Sequence, residues 1–126
     1  KIPSQVTTIG EKAFSDCSYL RQFEISENSK LEVLSNDLFY QSSLKKFRVP
    51  SQITQIVREP FFVAKLDVIE IPEDSHLQVI EDSAFAGTPI EYIRIPSSVT
   101  NMGVGIFIVA NILAKLNFKM IPNFNL

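Results

Sequence analysis

Residues 71–95 read IPEDSHLQVIEDSAFAGTPIEYIRI, from Ile71 to Ile95. The apolar frame of this stretch is Leu77, Ile80, Phe85, Ile90, Ile93 and Ile95. Moved one copy upstream, it falls on Ile53, Ile56, Phe61, Leu66, Ile69 and Ile71. Before that it falls on Leu31, Leu34, Phe39, Leu44, Phe47 and Val49, and first on Val6, Ile9, Phe14, Leu20, Phe23 and Ile25. The last copy is Val99, Met102, Phe107, Leu113, Leu116 and Phe118. The second apolar position precedes its Phe by five residues in every copy, as in Ile9 to Phe14 and Ile80 to Phe85. The frame ends at residues 25, 49, 71, 95 and 118, so the period is 22–24. Self-similarity at such a period marks a stack of repeats. One unit buries too little apolar surface to offset the ordering of its own chain, so neighbours must supply the rest.

A period near 23 lies in the range of leucine-rich repeats, about 20–29 residues. The end of each unit has their strand pattern L-x-x-L-x-L, as Leu44-x-x-Phe47-x-Val49 and Ile90-x-x-Ile93-x-Ile95. Alternation across the last apolar pair is the signal of a half-buried strand. The expected fold is an α/β leucine-rich-repeat solenoid of about five repeats. A parallel sheet lies on the concave face, and turns or short helical segments on the convex face. Pro follows the strand at Pro3, Pro50, Pro72 and Pro96. It lacks the N–H that would extend a ladder, so it ends the strand. The turn then takes four steps from Ile2, Val49 and Ile95, but six from Ile25 and Ile71. Long and short turns therefore alternate. The Val6–Ile9 type segment predicts a brief extended piece. Acids early and Ala late, as in Gly10-Glu11-Lys12-Ala13-Phe14 and Glu81-Asp82-Ser83-Ala84-Phe85, predict a helical turn before the Phe, with Pro60 suited to its first position. The five phenylalanines of the frame are expected to form a buried column.

The sequence also resembles a particular family. Ile2-Pro3-Ser4-Gln5-Val6-Thr7-Thr8-Ile9-Gly10-Glu11-Lys12-Ala13-Phe14 and Ile95-Pro96-Ser97-Ser98-Val99-Thr100 are similar to the BspA-like leucine-rich repeat. The resemblance covers residues 1 to about 107. It implies a surface-associated adhesin that binds matrix or host-cell proteins, located at the cell surface or outside the cell. An intracellular or structural scaffold is the alternative.

The 126 residues are expected to form one domain, with 108–126 a degenerate repeat or a C-terminal cap. The chain opens in mid-repeat at Lys1-Ile2-Pro3, which suggests part of a longer array and an open first layer that could support end-to-end self-association. A net charge of −2 does not suggest a nucleic-acid partner. The longest apolar run, 106–110, is too short for a membrane span. The single Cys17 excludes an internal disulfide framework and replaces Ser42, Ala64 or Thr88 of other copies, so a small buried hydrophobe is expected. No nucleotide-binding fingerprint and no C-x-x-C occur. His76 stands beside Asp74 and Glu73 in a long turn, too few ligands for a metal site. No catalytic set, cofactor or metal is implied, and the chain is expected not to be an enzyme.

The informative surface is the exposed side of the strands. The residue between the last two apolar positions points outward. Stacked in order these are Lys1, Glu24, Arg48, Glu70, Arg94 and Asn117, alternating in sign up to Arg94. Each charge is expected to meet an opposite one on both sides, about 4.8 Å away. A second column holds Gln22, Lys46, Val68, Tyr92 and Lys115. The alternation is compatible with a merely self-neutralised face. It is also compatible with a recognition strip, whose candidate ligand-binding residues are Arg48, Val68, Tyr92 and Arg94.

Overall fold

A computed structural model describes residues 1–107. Its strands are β1 (Val33–Leu34), β2 (Lys46–Arg48), β3 (Gln55–Ile56), β4 (Val68–Glu70), β5 (Val79–Ile80) and β6 (Asn101–Met102). The brief extended pieces that start each repeat form a four-stranded parallel sheet in the order β1-β3-β5-β6. Homologous apolar positions sit in register, Leu34 opposite Ile56 and Ile56 opposite Ile80. The L-x-x-L-x-L segments form a second, two-stranded parallel sheet, β2-β4, with Phe47 opposite Ile69. Upstream, Ile2 and Ile25 form a parallel bridge.

The core runs between these sheets. Phe39, Phe61 and Phe85 are fully buried, and their rings stack at 5.4 Å and 5.5 Å with planes only 16° and 15° apart. Phe14 and Phe107 extend the column at 6.0 Å on either side. Rods of repeats are held together by such nearest-neighbour contact. The first layer is open. Ile2, Ile9, Phe14, Leu20 and Phe23 are only partly buried.

The expected helical turns are corrected. No helix occurs among the described residues. The residues two before and two after the column Phe have left-handed backbone: Lys12 and Asp16, Asp37 and Gln41, Glu59 and Val63, Ser83 and Gly87. A left-handed residue breaks an α-helix. It also turns alternate N–H groups toward the next repeat. Glu59, Phe61 and Val63 donate to the carbonyls of Asp82, Ala84 and Ala86, while Phe62 donates back to Glu59 within its own turn. Each repeat thus joins the next through a third ladder of backbone hydrogen bonds. Pro60 falls between two ladder donors, so its missing N–H costs the ladder nothing. The proposed cap or degenerate repeat at 108–126 lies outside the described residues.

Candidate functional site

The β2–β4 face was expected to be a continuous sheet. It is instead built of pairs. Ile2 bridges Ile25 and β2 pairs β4, but among the described residues no ladder hydrogen bond joins residues 21–25 to β2, or β4 to Tyr92–Ile95. Each break follows a strand that leads into a long turn, at Ile25 and at Ile71. A groove lies at each break. The first is lined by Lys1, Arg21, Glu24, Glu27, Lys46, Arg48 and Glu70, among others. The second is lined by Val68, Ile69, Glu70, Pro89, Tyr92 and Arg94.

Three of the four candidate residues come together in the second groove: Val68, Tyr92 and Arg94. Arg48 faces the first. Val68 and Tyr92 are large apolar groups left 44 % and 53 % exposed, where their counterparts in the core frame are buried. Their exposure follows from strand alternation: Val68 precedes the buried Ile69, and Tyr92 the buried Ile93.

The expected charge ladder is corrected in part. Arg48 lies opposite Glu70, with Nη1 3.9 Å from its carboxylate. On its other side, however, Arg48 meets Glu27 at 3.5 Å rather than Glu24. Arg94 likewise pairs with Glu73, not Glu70. Glu27 and Glu73 each stand two residues into a long turn, and that turn brings them over the break. The signal was present in the sequence: only the six-step turns place a glutamate there. Glu70 takes its closest contact from Lys46, 2.8 Å away across a diagonal. That hydrogen bond, aided by the Lys46 and Arg48 charges and opposed by partial desolvation, holds the Glu70 carboxyl below its ordinary value of 4.5. All these pairs are well exposed, so each contributes at most about 1 kcal/mol to stability. Their effect is to fix where two flexible guanidinium groups point.

The Glu70 contacts give a measurable pH dependence. A depressed carboxyl stabilises the fold above its unfolded-state pKa, and that contribution is lost as pH falls through the folded-state value. Lys46→Ala is expected to move the Glu70 carboxyl back toward 4.5 in a carbon-detected NMR titration, with a loss of stability of no more than about 1 kcal/mol at neutral pH. An unmoved titration would assign the depression to another group.

Cys17 and His76 have the following places. Cys17 is half-buried in the open first layer, not fully buried as expected, because that layer has a neighbour on one side only. His76 is exposed, and its backbone N–H donates to the carbonyl of Ser51 at 2.8 Å. Among the described residues no three His, Cys, Asp or Glu side chains gather as a metal site would need. No helix among them is long and apolar enough to cross a membrane.

Stacked parallel strands, a column of phenylalanines and repeat-to-repeat backbone ladders define a leucine-rich-repeat solenoid. The chain belongs to the BspA type leucine-rich repeat family, whose repeat region matches in six copies over residues 1–113. That is one copy more than the apolar frame counts. The crystal structure of the pneumococcal vaccine antigen PcpA is similar, with a TM-score of 0.85 and 25% identity over 94% of this chain. The match spans 29% of the PcpA chain, well under a third of its length. Comparison with curated proteins finds no match.

Proposed function

We propose that this chain is a non-enzymatic interaction module of a surface-associated adhesin, binding matrix or host-cell proteins through the β2–β4 face. The observation that carries the reading is the second groove, where Tyr92 and Val68 stay exposed beside an arginine held in place by Glu73. Exposed aromatic and arginine side chains are the commonest anchors of protein interfaces. Pre-orienting them lowers the entropy lost on binding. The family supports an adhesive role. PcpA is a vaccine antigen, which supports a location that antibodies can reach.

The test is binding of the purified chain to immobilised matrix proteins and to host cells, with Tyr92→Ala/Arg48→Glu beside the parent. Both side chains are exposed, so the double variant should fold normally by circular dichroism. Its binding is expected to weaken about tenfold or more. Binding that is unchanged would remove this face from the function. An intracellular scaffold would instead show no binding to either surface.

A further inference from the structure

We infer that the two grooves are duplicate subsites for one extended polypeptide segment, which places an acidic side chain in the first and an aliphatic or aromatic side chain, at least about three residues along, in the second. This rests on the proposed use of the face for protein binding and adds the chemistry of the partner.

The duplication is visible in the spacing. Glu24 and Glu70, and Arg48 and Arg94, line the two grooves at equivalent places, while Glu27 and Glu73 stand at equivalent places in the two long turns, and each pair is 46 residues apart. Two repeats, one long-turned and one short-turned, therefore form the structural unit of this face. In both units a glutamate of the long turn reaches across the break to the arginine of the next strand. The scaffold of the subsite is the same twice.

The charge and polarity of the lining differ most at three positions. Arg21, Gln22 and Lys46 in the first groove correspond to Asp67, Val68 and Tyr92 in the second. The first groove is thus lined by four cations against three carboxylates. Arg21 has no carboxylate partner among the described residues, and its Nη1 donates only to the carbonyl of Ser18 at 3.3 Å. A carboxylate entering there gains a charge-assisted hydrogen bond that nothing in the chain supplies. The second groove is lined by three carboxylates, Asp67, Glu70 and Glu91, against one cation, Arg94, already bound to Glu73. An incoming acid is disfavoured there. The exposed faces of Tyr92 and Val68 favour an apolar side chain.

Distance sets the spacing along the partner. Paired parallel strands stand about 4.8 Å apart, and the path between the grooves crosses the paired β2–β4 step and the open space at a break, so the grooves are separated by at least about 10 Å. An extended chain advances about 3.3 Å per residue, so the separation spans at least about three residues.

Selection from a random peptide display library on the intact chain tests this, followed by fluorescence anisotropy with the selected peptides. The expected result is enrichment of an acidic residue at least three positions from an apolar one. Arg21→Glu/Lys46→Glu should weaken such peptides about tenfold and reverse the preference toward a basic residue. Tyr92→Ala should weaken them to a similar degree. Selected peptides that depend on Tyr92 yet show no acid, or a shorter spacing, would overturn the inference and leave the proposed function standing. Peptides indifferent to all three substitutions would overturn both.

Discussion

Truncating Phe61 to alanine is expected to lower the unfolding free energy by about 3–5 kcal/mol. Phe61 is fully buried at the centre of the column. Its ring stacks on Phe39 at 5.4 Å and on Phe85 at 5.5 Å, and tilts against Phe47 at 5.5 Å. Alanine there leaves a hole lined by three aromatic rings. Those rings are tied by the inter-repeat hydrogen bonds of Phe39 and Phe61, so the walls have little freedom to close in. Phe14→Ala removes the same side chain from the open first layer, where the ring is only partly buried, and its cost is expected to be less than half as large. Urea unfolding of both variants is the measurement. A solenoid is stabilised by the interfaces between its repeats. Loss at Phe61 is therefore expected to uncouple the repeats on either side and broaden the transition, whereas loss at Phe14 frays one end. Equal effects at the two positions would contradict a column held by stacking.

The column was legible because it needs only one fact, that the same side chain type recurs at a fixed interval. Pairing of the short extended pieces was legible for the same reason: Leu34, Ile56 and Ile80 fall into register once repeats are stacked. The stretch before each phenylalanine was not. Glu81-Asp82-Ser83-Ala84 has the acids and the alanine of a helix start. Composition cannot report that the N–H groups of Ser83 and Phe85 are taken by Val104 and Ile106 of the next repeat. An α-helix would need those donors for itself. The backbone takes a left-handed residue at Ser83 and again at Gly87, and the ladder between repeats replaces the helix.

The candidate site divides along the same line. Strand alternation exposed Lys46, Arg48, Val68 and Tyr92 in the sequence, and the structure leaves each of them exposed. The partners of the arginines do not follow from a uniform strand spacing. The sheet breaks after Ile25 and Ile71, and the two extra residues of each long turn bring Glu27 and Glu73 to arginines that would otherwise face Glu24 and Glu70. Turn length was read in the sequence, but its effect on the exposed face depends on geometry between repeats. A one-dimensional period does not contain that.

Gly103→Ala carries the second large expected effect. Gly103 follows Met102 in β6, and its N–H donates to the carbonyl of Ile80 at 2.7 Å. A Cβ there would lie 2.5 Å from the backbone nitrogen of Asp82 and 2.7 Å from the carbonyl carbon of Glu81. Both are main-chain atoms, so no side-chain rotation relieves the contact. The repeats must separate locally, which strains the hydrogen bond to Ile80 and the one from the Val104 N–H to the Asp82 carboxylate at 2.8 Å. Overpacking of this kind costs about 1–3 kcal/mol, and backbone obstruction places Gly103 at the upper end. Gly10 is the internal control. It stands at the same place in the first repeat, after Ile9, yet a Cβ there meets nothing within 4 Å. Its φ is not in the left-handed region, so Gly10→Ala should be neutral or stabilise slightly by restricting the unfolded chain, by up to about 1 kcal/mol. Thermal unfolding of the two variants then separates two effects of one substitution, since both remove the same backbone freedom. The difference between them measures how tightly one repeat seats upon the next. A drop in stability at Gly10 as large as that at Gly103 would mean that the cost lies in the backbone and not in the contact between repeats.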